Sequence, residues 1–270
     1  MKKIVTLLFC FASAVAGAQN VKLETGKKIT AVTTGSMDMD MGMGGAMKIA
    51  SSSTAIINIT GNEENQYKGD HTITKMKMTQ DGAGQNTTFD SEKQEDRDSE
   101  IGKQLGKTVN QRAAILIGKT DGTVKDASPE KVITGGSPMD DLIGASQSPS
   151  VAAAAAFFVL PGGKKTGDKW TDSTLQEGIK VMKNFELSAL KDGIATIFLE
   201  AATKGTVDKT IEGLQMSITM NGTTKSTIIT DTNTGLVKSN TSVGKIDASL
   251  DMMGQAMPIT MTLNTVTVFE

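Results

Sequence analysis

Period-two alternation of side-chain character, repeated along most of the chain, is the feature that most restricts its fold. Met47, Ile49, Ser51, Ser53, Ala55, Ile57 and Ile59 fall on one side of an extended segment, and Lys48, Ser52, Thr54, Asn58 and Thr60 on the other. Val181, Lys183, Phe185, Leu187 and Ala189 repeat the pattern, followed by Ala195, Ile197 and Leu199. Met216, Ile218 and Met220 do so again, as do Met257, Ile259, Met261 and Leu263. Successive side chains point to opposite faces only in extended backbone, so these runs are strands with one buried face. Thr, at 35 of 270 residues, adds β-branched side chains that favour a pleated surface. Thr120-Asp121-Gly122, Lys191-Asp192-Gly193 and Asp231-Thr232-Asn233-Thr234-Gly235 supply the turns. Asn221-Gly222 predicts a bend or bulge. The strands are expected to run about ten residues or more, beyond the common length of about 5–6.

The middle of the chain departs from this pattern. Asp90 to Val109 is charged and predicts a short surface helix around Arg97 to Leu105, followed by a strand from Arg112 to Gly118. Gly135 to Pro149 has loop composition, with short helices expected at Met139–Gly144 and Val151–Phe158 and a stop at Pro161-Gly162-Gly163. The predicted organisation is a signal peptide over residues 1–18, an N-terminal β arm over 19–126, central loop and short helices over 127–163, and a C-terminal β arm over 164–270. Met43-Gly44-Gly45-Ala46-Met47 and Met253-Gly254-Gln255-Ala256-Met257 match at four of five positions, each placed like a hairpin tip. Glu212-Gly213-Leu214-Gln215-Met216 is a looser copy. The fold expected is mainly β: a long-stranded antiparallel curved sheet or half-barrel with short central helices, related halves being an open alternative.

Residues 1–18 read as an export signal. Met1-Lys2-Lys3 is the basic start, Ile4 to Val15 the apolar stretch, and Ala16-Gly17-Ala18 the small-residue cleavage site. The apolar stretch is too short to span a bilayer, which takes about 20 residues. Cleavage near Ala18 removes Cys10, the single cysteine, and delivers the chain to the periplasm or beyond with no lipid or stable membrane anchor.

Composition narrows the function. The net charge is −2, and loss of Lys2 and Lys3 leaves 26 − 30 = −4. A mildly acidic chain is a poor ligand for phosphate backbones, so no nucleic-acid partner is expected. One His, one Tyr, one Trp and one Cys exclude multi-histidine zinc sites and intrachain disulfides, and leave His71 as the only base for a Ser-His-Asp triad. His71 sits among Asp70, Thr72 and Thr74 and is expected to be an exposed strand residue. Trp170 is expected to anchor the start of a strand. Asp90, Glu92, Glu95, Asp96, Asp98 and Glu100, interleaved with Lys93 and Arg97, form a solvated face and lack the Gly and Glu spacing of a calcium loop. Gly162-Gly163-Lys164-Lys165-Thr166 lacks the spacing of a phosphate loop. A non-catalytic protein without cofactors is the expectation.

Several motifs occur together: Met37-Asp38-Met39-Asp40 after Lys27-Lys28; Leu160-Pro161-Gly162 leading to Gly167-Asp168-Lys169-Trp170; Asp192-Gly193-Ile194-Ala195-Thr196; and Met253 to Pro258. With the export signal, this combination resembles a family of secreted bacterial β-rich proteins of uncharacterised function, over most of the mature chain. The family in turn looks somewhat like the open half-barrels of periplasmic lipoprotein carriers, a fold-level likeness. The resemblance implies no activity and no catalytic residues.

Methionine, 16 residues in all, is the one unusual chemical resource. Met37, Met39, Met41 and Met43 alternate with Asp38, Asp40 and Gly42, so four thioethers share one face of a strand. Three readings stand open. Met fills a core short of aromatics; or flexible, polarizable Met lines a surface for a lipid or other hydrophobic small molecule; or thioethers hold Cu(I) or Ag(I). In the ligand reading Met37, Met39, Met41, Met43, Met47, Met216, Met220, Met252, Met257 and Met261 line the site, and the Ala-rich helix plugs its opening.

Overall fold

Among the described residues, the first and last strands lie side by side in the middle of a single twelve-stranded sheet. The computed structural model of the chain describes residues 20–42, 45–82, 85–106, 108–127, 149–176, 178–211, 214–252 and 255–270. The expected export signal at residues 1–18, Met43 and the helix expected at Met139–Gly144 lie outside them. The elements are β1 (Lys28–Asp40), β2 (Ala46–Asn62), β3 (Gln66–Gly82), β4 (Gln85–Asp90), α1 (Gln94–Asp98), α2 (Glu100–Leu105), β5 (Arg112–Gly118) and β6 (Val124–Asp126). After α3 (Pro149–Ala154) come β7 (Lys169–Gln176), β8 (Ile179–Lys191), β9 (Ile194–Ile211), β10 (Leu214–Asp231), β11 (Leu236–Met252) and β12 (Gln255–Phe269). Across the sheet the order is β6-β5-β3-β2-β1-β12-β11-β10-β9-β8-β7, with β4 also on β3. Every strand pair is antiparallel. The arms read separately from the sequence therefore form one continuous sheet, joined at β1 and β12.

Long alternating Thr-rich segments give long strands, up to 18 residues in β9 and β10. Their turns follow local chemistry. Asp192 (φ 51°) and Gly193 (φ 76°) make the tight turn between β8 and β9. Between β10 and β11, Asp231 accepts a hydrogen bond from Asn233 N at 2.8 Å through Oδ1, and Gly235 takes φ 71°. β1 stops at Asp40, paired with Thr260, just before the position on β12 occupied by Pro258, which has no N–H to offer.

Three expectations change. Asn221-Gly222 is no bend: β10 runs through it in register with both neighbours. A Cβ on Gly222 would come within 2.9 Å of Ile246 Cγ1, so glycine there lets Ile246 lie across β10. Ala189 does not continue the buried face of β8, because a register shift after Leu187 turns it to solvent. The helix expected around Arg97–Leu105 is two, α1 and α2, broken at extended Ser99. Ser99 Oγ accepts from Gly102 N at 3.0 Å and so caps α2.

One face of the sheet, here the inner face, carries the main core. Ile57 and Ile59 (β2), Ile115 and Ile117 (β5), Leu187 (β8), Ile197 (β9), Ile228 (β10) and Phe269 (β12) belong to one buried cluster. In a flat sheet β5 and β11 would be five strands, roughly 24 Å, apart, yet adjacent Val21 and Lys22 bond to the turns that follow β5 and precede β11. The sheet must therefore curl around this cluster. Two segments tie the curl shut at this end. Val21 N donates to Lys119 O at 2.7 Å and Lys22 N to Thr234 O at 3.0 Å, linking the two arms. Tyr67 Oη accepts from Leu23 N and donates to Val21 O. From α3, which packs on β3, β5 and β6, the chain runs to the β10–β11 hairpin. There Phe158 N donates to Gly235 O at 2.9 Å and Val237 N to Ala156 O at 2.9 Å. This pairing, with Phe157 bridged to Leu236, ends the Ala-rich helix at Ala154, short of the Phe158 expected. Trp170 starts β7 as anticipated and stacks on Phe185 at 5.2 Å between ring centroids.

No helix among the described residues is long and apolar enough to cross a membrane. The outer face bears charge, including Asp38, Asp40, Lys48, Glu200, Lys225 and Asp247, all solvent-exposed.

Ile197→Ala should lower unfolding free energy by about 2–5 kcal/mol, because it removes a fully buried side chain from the shared cluster. Val243→Ala, on the exposed outer face, should change it by less than about 0.5 kcal/mol. Urea denaturation of both variants checks the assignment of faces.

Candidate functional site

The registers of the long strands divide the inner face into bands. At the end closed by α3 and the two straps the face is aliphatic and aromatic. A middle band is hydroxyl-rich. Thr33 and Thr267 are cross-strand partners sharing a hydrogen bond at 3.0 Å, and Ser226 and Ser242 share another at 2.7 Å. Ser53, Gly35 and Thr265 continue this band. At the opposite end, that of the β1–β2, β9–β10 and β11–β12 hairpin tips, the band is methionine.

Met39 faces Met47 on β2 and Met261 on β12, so three thioethers stand abreast on adjacent strands. Met39 is 3% exposed and Met261 is also buried, while Met37, Met41 and Met47 are half-buried. Ile259 joins the two buried methionines in a second apolar cluster, against which Ile246, Ala248 and Leu250 pack. Every side chain in and around this cluster comes from β1, β2, β11 or β12 or, for Met41, the residue after β1. The sequence pointed to the methionines but missed Ile246, Ala248 and Leu250, because β11 opens with a polar half that hides its alternation.

The remaining predicted residues are placed as follows. Met220, on β10 beside Ala248 of β11, is buried. Met216 and Met252 are backbone partners across β10 and β11, and their side chains lie outside the described residues, as does all of Met43. Met257 is 41% exposed at the rim. The Ala-rich helix packs at the far end of the face and does not plug the methionine end as expected. Among the described residues no three His, Cys, Asp or Glu are placed to hold a metal ion.

His71 corrects another expectation. It is 3% exposed, on the inner face of β3 between Ile57 and Ala113, at the closed end. The bulge between Thr54 and Ala55 in the β2–β3 pairing sets its side, which a local polar context could not reveal. Burial pushes its imidazole pKa below the ordinary value, partly offset by the charge of Asp126. The acidic stretch, by contrast, is the solvated surface expected. No residue of α1 is buried, and Lys77 and Lys75 pair with Asp90 and Glu92 at 3.0 and 2.6 Å.

Residues 154–237, under a third of the chain, match the model of a family of unknown function, DUF6263. No curated protein matches. Among solved structures, one described as lipid–protein interactions in lipovitellin is similar at 12% identity and a TM-score of 0.49, covering 92% of this chain and 25% of that one. The chain thus spans about a quarter of that protein's length. OpdQ of Pseudomonas aeruginosa is similar at 6% identity, 92% and 99% coverage and a TM-score of 0.24. OccK7 (OpdD) of the same organism is similar at 5%, 91% and 99%, and 0.27. Likeness at these scores transfers neither a ligand nor an activity.

Because the folded-state pKa of His71 lies below the unfolded value of about 6.5, the unfolded chain binds the proton first and stability falls on acidification. The melting temperature should drop as pH falls from about 6.5 towards 5, above the range where carboxylates titrate. His71→Leu should flatten that slope. Thermal melts across pH, on both proteins, test this.

Proposed function

We propose that the methionine end of the inner face receives a lipid or other hydrophobic small molecule, and that the protein acts after export, by binding and not by catalysis. The observation that carries this reading is segregation. Among the described residues, the large cluster that the straps enclose contains no buried methionine and is built from Ile, Leu, Val, Ala, Phe and Tyr. Methionine is concentrated where the packing side chains belong to one sheet face. Branched and aromatic side chains suit a fixed, sealed core, whereas an unbranched thioether repacks around a variable apolar guest. The neighbouring hydroxyl band offers hydrogen bonds to the polar end of an amphiphile whose apolar part lies on the methionines. The outer face carries exposed charges together with singly exposed apolar side chains such as Val32, Phe198 and Val243. A purely structural Met-rich cluster is the alternative, and the burial of Met39 and Met261 favours it for those two residues.

Protein purified from its own compartment should carry lipid detectable by native mass spectrometry and by extraction. The stripped protein should take up a fluorescent fatty acid. Met37→Lys with Met47→Lys places two charges on half-buried positions and should weaken uptake at least about tenfold, or 1.4 kcal/mol. Absence of both co-purifying lipid and probe uptake leaves the structural reading.

A further inference from the structure

We propose that Met39, Met47 and Met261 form a binding site for a soft monovalent metal ion, Cu(I) or Ag(I), independently of whether the face also takes an apolar ligand. Directly opposed residues of antiparallel strands have Cβ atoms about 4.5–5.5 Å apart. The register makes Met39 the central member of a row of three, with one neighbour on each side. Met37 and Met41 flank it on the same face, about 7 Å along the chain, and either can supply a fourth sulfur. Three rotatable side-chain bonds let the outer two thioethers lean inward over the middle one.

The donor chemistry selects the ion. Thioether sulfur is soft and uncharged, and binds Cu(I) in preference to hard cations. Asp38, Asp40 and Lys48 project from the other face of the sheet, so among the described residues of these strands the row presents sulfur with no carboxylate or ammonium beside it. Its packing partners are Ile246, Ala248, Ile259 and Leu250. With no compensating charge, a monovalent ion carries only about a quarter of the idealised desolvation cost of a divalent one, since that cost scales with charge squared. Burial of Met39 and Met261 keeps water from competing, and half-buried Met47 leaves a side open for entry.

The test uses the full purified chain and Ag(I) alone, added as nitrate in chloride-free buffer, with Mg(II) as the hard control. Native mass spectrometry should show one Ag(I) per chain at the lowest ratios, and the melting temperature should rise with Ag(I) concentration and not with Mg(II). Met39→Leu, Met47→Leu and Met261→Leu together conserve volume and should abolish both signals. Met76→Leu, Met78→Leu and Met182→Leu together, also three methionines but outside the row, should leave them intact. If the first triple variant does not fold, Met39→Leu alone should weaken Ag(I) binding at least tenfold. No Ag(I) adduct on the native protein, equal loss in both triple variants, or full binding by the row variant overturns the site. Fatty-acid uptake measured on the same variants should survive the row substitutions, so failure of the metal site is distinguishable from failure of the apolar one.

Discussion

The pairing of β1 with β12 is the constraint on which the rest of the molecule depends. It runs from Ala31 opposite Phe269 to Asp40 opposite Thr260, and it places β1 and β12 in the centre of the sheet. It joins the arms into one surface, and it decides which side of each strand faces inward. A slip of one residue would turn Met37 and Met39 outward and bring Asp38 and Asp40 onto the inner face. Burying two unpaired carboxylates there would cost several kcal/mol each, so the register is held by what it excludes as much as by what it packs.

Given that register, the curl of the sheet sets its two ends apart. At one end the segment around Val21 and the segment from α3 to Val159 bridge the arms, and the face between them is a sealed core. Their backbone groups bond to turns of both arms, so the seal does not leave donors orphaned. At the hairpin-tip end the methionine cluster is built by four neighbouring strands from a single face. Side-chain type follows this division: branched and aromatic residues build the sealed end, and thioethers with Ile, Ala and Leu the other.

Between the ends, Thr33, Thr267, Ser226 and Ser242 satisfy one another sideways along the sheet. Hydroxyls paired within the face can tolerate an apolar neighbour without requiring water, and can exchange partners with a polar guest. The inner face thus grades from sealed aliphatic through hydroxyl to thioether over the length of one set of strands.

Strand character, long strands, the turns at Asp192-Gly193 and Asp231–Gly235, and the shared face of Met37, Met39 and Met41 were legible in the sequence, because period-two alternation and positive-φ glycine are local properties. His71, Ala189 and Gly222 were misread for one reason. Whether a strand residue points inward after a bulge, or must yield space to a neighbour, depends on a partner far away in the chain. The Ala-rich run was read as longer than α3 because its last residues pair with Leu236 and Val237, an attraction that helix propensity does not contain. Alternation alone was enough to make this chain a sheet and to put Met37, Met39 and Met41 on one side of a strand. That Met39 stands between Met47 and Met261 came from strand pairing, since cross-strand neighbours are set by non-local pairing energy and not by spacing along the chain.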